Sequence, residues 1–267
     1  MAAMKILVAI RQVPERDAPL AVAQDARWID DSQLTWTTNE PDAYALEEAL
    51  RLKESLIQAE PDRPSEIIAL TAGPERAASV LRDALARGAD RALHIVTAAA
   101  AQHDPLALAH LLAAAIRTES PDLILTGLQS DDLGLGQTGV ILAELLAIPH
   151  TTLALQIERT ASAIRVKREL EDGWFQHVDM PLPALVTIQS GGNQLRYATL
   201  LGIKKARTKE LRSIDAASLA AAAPARSVEL TRVFLPEKQK QTRMLTGTPA
   251  EIAAQLVDVL RNEVRVL

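Results

Sequence analysis

The stretch DLILTGLQSDDLGLGQTG, residues 122–139, decides how the fold is read. Its first six residues form a short, nearly continuous apolar run, as a strand buried on both faces requires. Its last six, Gly134 to Gly139, match the G-x-G-x-x-G spacing of a dinucleotide-binding turn. In that turn the first glycine follows directly on the strand, so that backbone amides and a helix N-terminus reach the pyrophosphate. Here Gly134 stands seven positions beyond Gly127, which is too far for that geometry. The acid at the expected downstream distance, Glu158, falls in a segment whose alternation puts it on the surface. Two other readings stand beside the dinucleotide one. The first is a plain surface loop with Asp131 and Asp132 solvated. The second is a loop at the C-terminal end of a parallel strand, running into a helix near Gln137, where free amides and the Gln137 and Thr138 side chains hold a single phosphate. Asp132 would repel that phosphate and suits ribose hydroxyls or an adenine amine instead.

Working outward, short apolar runs alternate with helical patterns, the mark of an α/β fold with a mainly parallel sheet flanked by helices. KILVAI (5–10), EIIALTA (66–72), ALHIV (92–96) and DLILTG (122–127) are the predicted strands. Asn39 reads as an N-cap, with Pro41 in the first turn of the helix that follows. A second helix ends at Gly88, and Asp104-Pro105 opens a third that is apolar almost all round. From Thr151 to about residue 190 short alternating runs predict a mixed-strand finish to the sheet. Beyond Gly191-Gly192 the chain turns basic (Lys204, Lys205, Arg207, Lys209), then alanine-rich, which reads as an extended arm. A last helix, with Thr248, Pro249 and Glu251 as its capping signature, is expected to run to about Val264. The expected division is a nucleotide-binding α/β domain over 1–190 and a loop, arm and C-terminal helix over 191–267.

Composition narrows the function. The chain has 267 residues, 48% hydrophobic, with a net charge of -5 and no charged tail, so neither nucleic acid nor direct membrane insertion is expected. No run approaches the length of a membrane span and no leader peptide is read at the start, which makes the expected location cytoplasmic. With no cysteine, thiolate catalysis, iron–sulfur clusters and cysteine-bound zinc are excluded. The five histidines lack ligand spacing, so no metal site is expected. Neither a phosphate-loop GxxxxGK[ST] nor a GxSxG elbow occurs, and no catalytic acid, base or nucleophile stands out.

Taken together, NEPDAYALEEALRLKE (39–54), LTAGPERAASVLRDALARGADRA (70–92), TGLQSDDLGLGQTG (126–139), VKRELEDG (166–173), LPALVTIQ (182–189) and RYATLLGIKKARTK (196–209) resemble, in this order, the β subunits of electron transfer flavoproteins. The C-terminal RVFLPEK and GTPAEIAAQL look closest to bacterial members, such as those serving trimethylamine dehydrogenase. The resemblance implies an adenine-nucleotide-binding α/β fold in a heterodimer. The α subunit would hold most of the redox FAD and this subunit a structural AMP. Electrons would pass from flavoprotein dehydrogenases to a quinone oxidoreductase, with no bond-making chemistry by this chain. Carried over residue by residue, Ala9, Asn39 and Ala72 would line the adenine pocket. Gly127, Gln129, Ser130, Asp132, Gly136, Gln137, Thr138 and Gly139 would form the nucleotide loop. Tyr197, Leu200, Lys204 and Lys205 would dock the partner, Leu200 being the apolar anchor, although a leucine pair such as Leu200-Leu201 also reads as core. Glu169 would control the mobile flavin domain, or be only a solvated strand-end carboxylate.

Two departures bear on this. Arg16 stands where the family often has an aromatic near the flavin. The loop also lacks the DGDTAQVG of electron-bifurcating relatives, which bind a second FAD in place of AMP. Bifurcation is thus one alternative, and a stand-alone adenine-nucleotide-binding or hydrolysing protein is another.

Overall fold

The computed structural model describes residues 4–62, 64–98, 104–160, 163–219, 228–236 and 242–266. The chain divides into two compact units, Met1–Arg232 and Val233–Leu267.

The first unit is built on a nine-stranded sheet. Its central strand β1 (Met4–Ala9) pairs in parallel with β4 (Ser65–Gly73) on one side and β6 (Leu123–Gly127) on the other. Beyond β4 lies β5 (Arg91–Val96). β2 (Gln12–Pro14) and β3 (Trp36–Thr38) form a separate antiparallel pair, where the Arg76 guanidinium lies 3.9 Å over the Trp36 ring. All four strands expected in the first half are present, because each is an apolar run that must be buried on both faces.

Helices α1 (Glu40–Ala59) and α2 (Ala78–Arg87) connect strands on one side of β1, and α3 (Pro105–Glu119) and α4 (Thr138–Leu146) serve the return on the other. The apolar positions sort accordingly. Ile6 and Val8 pack with Leu46, Leu50, Val80 and Leu81 from α1 and α2, while Leu7, between them on β1, packs with Leu112, Ile116 and Leu142 from α3 and α4. The alternation along β1 therefore supplies two cores, one per face. Each fully buried leucine or isoleucine contributes about 1.5–3 kcal/mol. The chain runs from β1 outward through β4 to β5 and then crosses back to β6 on the other side of β1, so the strand order reverses at β1 and a crevice opens at the C-terminal ends of these three strands.

The mixed finish is β7 (His150–Arg159), β8 (Ala163–Glu169) and β9 (Phe175–Pro181), joined antiparallel. β10 (Ala184–Ile188) differs. It inserts in parallel between β6 and β7, and all five of its residues are buried, as ALVTI requires of an interior strand.

The sheet does not end near residue 190. The expected arm contains α5 (Leu200–Ala206) and then β11 (Leu211–Asp215), which pairs in parallel with the outer edge of β5. Leu211 and Ile214 pack against the two cores, which is what returns this strand to the sheet. A short helix α6 (Ala216–Leu219) follows, and the alanine-rich stretch 220–227 lies outside the described residues.

In the second unit α7 (Pro249–Asp258) has the predicted capping box: the Thr248 side chain accepts from Glu251 N and the Glu251 side chain accepts from Thr248 N at 2.8 Å. The helix then widens to a π turn over Val259–Glu263, close to the expected end. No described helix is long and apolar enough to cross a membrane.

Candidate functional site

The crevice above β1, β4 and β6 is a cleft lined by Ala9, Leu70 and Ala72 from strand ends, by Asn39 and Asp42 from the start of α1, by Leu108 and Leu112 from α3, and by the loop from Gly127 to Gly139. Ten of the eleven residues assigned to the nucleotide line it: Ala9, Asn39, Ala72, Gly127, Gln129, Ser130, Gly136, Gln137, Thr138 and Gly139. Asp132 is the exception. Its carboxylate is forked by Arg11, at 2.9 Å from Nε and 2.6 Å from Nη2, and both side chains are largely buried. A cation from the end of β1 thus holds the group expected to face a ribose or adenine.

The first half of the loop is fastened, while Gly134 to Gln137 are exposed. Asn39 occupies the N-cap position of α1, but its side chain makes no capping bond. It reaches across instead, Nδ2 donating to the Gln129 carbonyl at 3.1 Å and Oδ1 accepting from Asp131 N at 2.9 Å. In exchange the Asp131 carboxylate accepts from Glu40 N at 3.1 Å, so an acid from the loop caps α1. Gly134 and Gly136 take left-handed conformations at φ 64° and 61°, which bend the loop toward α4. Gly139 lets the start of α4 settle on the sheet: a Cβ there would lie 2.8 Å from both Thr126 Oγ1 and a Thr187 methyl. Gln137 caps α4 with its backbone only, so first-turn amides remain for an anion.

Beneath the loop lies a residue that the sequence did not single out. Asp42 accepts from Gly127 N through Oδ1 and from Arg11 N through Oδ2, each at 2.7 Å. It therefore ties the ends of β1 and β6 together. Burial pushes its carboxyl up to about 6, against the hydrogen bonds from Arg11, Gly127 and Asn39 and the Arg11 charge, which favour the ionised form. In the sequence Asp42 is merely an acid in the first turn of a helix, and nothing local says that it faces two strand ends. Thr71 is similar: its hydroxyl donates to the Ile10 carbonyl at 2.6 Å.

The assigned docking residues lie elsewhere on the first unit. Tyr197 and Leu200 are 92% and 82% exposed, and Leu201, Lys204 and Lys205 are exposed beside them. The leucine pair is not core. Thr199 caps α5 by accepting from Gly202 N at 3.0 Å. Glu169, half-buried at the end of β8, accepts from Gln189 Nε2 at 2.6 Å, so it is not simply solvated. Arg16 is exposed and pairs with Glu40 at 2.8 Å. No group of three or more His, Asp or Glu side chains among the described residues is arranged to hold a metal ion.

The electron transfer flavoprotein domain model matches residues 27–219, which include the loop, most of the cleft lining and the exposed segment around Leu200. The chain belongs to the electron transfer flavoprotein family. It is 35% identical over 266 residues to an electron transfer flavoprotein subunit beta from Methylophilus methylotrophus, covering 97% of this chain and 98% of that one. The subunit beta of Bacillus subtilis is 36% identical over 242 residues, 90% of this chain and 91% of its own. That of Sus scrofa is 33% identical over 265 residues, with 98% of each chain covered. The resemblance read from ordered blocks therefore holds over almost the full length, and it is to β subunits of this electron-transfer family.

Leu70, Leu108 and Leu112 give the cleft apolar surface, and Gln137, Thr138 and Gly139 bring the start of α4 to its edge.

Proposed function

We propose that this chain is the β subunit of a heterodimeric electron transfer flavoprotein that holds AMP in the cleft as a structural ligand. An α subunit carries most of the FAD, which supplies the electron-carrying chemistry when bound. The observation that carries this reading is the convergence of ten assigned residues on one cleft at the sheet's switch point. Asn39, Gly127 and Asp42 shape the floor, and Gln137, Thr138 and Gly139 at the start of α4 receive the phosphate. Residues 191–267 contribute the docking segment and the arm and helix that pack on the α subunit. Supporting a partner there, α7 buries none of its own residues, and Leu256 and Val257 are exposed along it. The subunit performs no acid–base or nucleophilic step and acts in the cytoplasm. Glu169 controls the mobility of the flavin domain.

Leu200 anchors flavoprotein dehydrogenases, while the neighbouring lysines speed encounter. The heterodimer in turn passes its electrons to a quinone oxidoreductase. In steady-state reduction of the heterodimer, Leu200→Ala is expected to raise KM for the dehydrogenase about tenfold with kcat little changed, the effect of losing one buried leucine from an interface. A wild-type KM would count against the docking role.

A further inference from the structure

We propose that Arg196 is the positioning residue of the docking segment, fixing Tyr197 to Leu201 against α1 so that Leu200 is presented in one place. The inference rests on the docking reading above and adds what holds the anchor. From Gly192 to Thr199 the chain has neither helix nor strand, and its tip is exposed. An apolar tip without sheet or core beneath it keeps one geometry only if its ends are tied.

Both ends are. The C-terminal foot stands on α2: Arg82 Nη1 donates to the Ala206 carbonyl at 2.7 Å, and Lys209 Nζ donates to the carbonyls of Leu85 at 3.0 Å and Ala89 at 2.5 Å. Gly202 lies so close to the Ala86 carbonyl that no side chain would fit. The N-terminal foot is Arg196. Its Nε and Nη2 fork Glu47 at 2.8 and 3.0 Å, and Nη1 and Nη2 reach Glu54 at 2.6 and 3.2 Å. Its own amide donates to Glu47 at 3.2 Å, and its carbonyl accepts from Arg87 at 3.2 Å. Glu47 is almost wholly buried, so this half of the fork is shielded from water and salt.

The two acids are seven positions apart on α1, two helical turns, and so lie on one face. The planar guanidinium gives two bonds to each carboxylate, whereas lysine reaches as a point charge. Asn193 adds a further tie, donating to Glu48 at 3.1 Å. Helix α1 is also the one fastened at its start to the nucleotide loop through Asn39 and Asp42. The docking tip is thereby referenced to the same rigid element as the cleft.

The test uses the heterodimer assembled with its α subunit, carrying Arg196→Gln, Arg196→Lys, Glu54→Gln or Leu200→Ala. Deuterium uptake over residues 197–206 is read beside KM and kcat with a flavoprotein dehydrogenase that reduces the wild type. Arg196→Gln is expected to raise both uptake rate and KM about tenfold at unchanged kcat, the scale of one lost charge-assisted hydrogen bond. Arg196→Lys should fall between it and wild type. Leu200→Ala should raise KM without altering uptake. Wild-type uptake and KM in Arg196→Gln, with KM raised in Leu200→Ala, overturns the role of Arg196 and leaves the docking reading standing. A wild-type KM in Leu200→Ala overturns the docking reading itself. If Arg196→Gln does not assemble, Arg196→Lys and Glu54→Gln decide: raised uptake supports the clasp, and wild-type uptake in both overturns it.

Discussion

Gly127→Ala is expected to destabilise the folded chain by about 3 kcal/mol and to empty the cleft of nucleotide, because the new methyl collides with groups that cannot retreat. A Cβ at this position would lie 2.5 Å from Asp42 Oδ1, 2.7 Å from Pro41 Cβ and 2.9 Å from Asp42 N. Two of these contacts belong to the first turn of α1, which is packed against the sheet, and the third is the carboxylate that accepts the Gly127 amide itself. Relief requires β6 and α1 to separate where they form the cleft floor. For a domain of this size the thermal midpoint should fall by roughly 6–12 °C. Gly173→Ala is the control. Its φ is positive, 76°, unlike that of Gly127, and a Cβ there meets nothing within 4 Å, so only backbone strain of about 1–2 kcal/mol is added and nucleotide content is unchanged. Equal losses in the two variants would contradict the argument from the cleft floor.

The second large effect is a pH dependence of unusual sign. Most carboxylates stabilise a fold at neutral pH and lose that contribution in acid. Asp42 should do the reverse, since burial raises its carboxyl from an ordinary 3.8 to about 6. A raised folded value means that the neutral form is preferred inside. Its favourable contribution is complete below pH 3.8, declines as pH rises and is lost above about 6, a swing of about 3 kcal/mol. Asp42→Asn removes the titration while preserving shape, and other titrating groups cancel in the comparison. The stability difference between wild type and variant, read from thermal midpoints of the heterodimer, should therefore move in favour of wild type by about 2 kcal/mol between pH 7 and pH 4. A difference that stays constant, or moves the other way, would contradict it. Its two oxygens accept from the amides of Arg11 and Gly127, at the ends of two neighbouring strands.

What the sequence disclosed follows from the range of each signal. β1, β4, β5 and β6 are legible because burial on both faces leaves an unbroken apolar run between turn residues. The insertion of β10 between β6 and β7 is not, since periodicity describes a strand's faces and not its neighbours. β11 escaped because LRSID carries three polar side chains on an outer strand, and α5 because seven residues are too few to show a helical period. The loop from Gly127 to Gly139 was legible as one that starts at a strand end and finishes at a helix start. Asp42 and Arg11 were not, because their roles depend on segments 85 and 121 residues away. For the same reason Asp132 was read toward a ligand, whereas Arg11 holds it. Nothing in the order of residues brings those two groups together until the sheet has formed.

The most direct test is a count of the ligands released when the purified heterodimer is denatured. One AMP and one FAD per heterodimer is the predicted result. Two FAD, or FAD with no adenine mononucleotide, would contradict the assignment of the cleft.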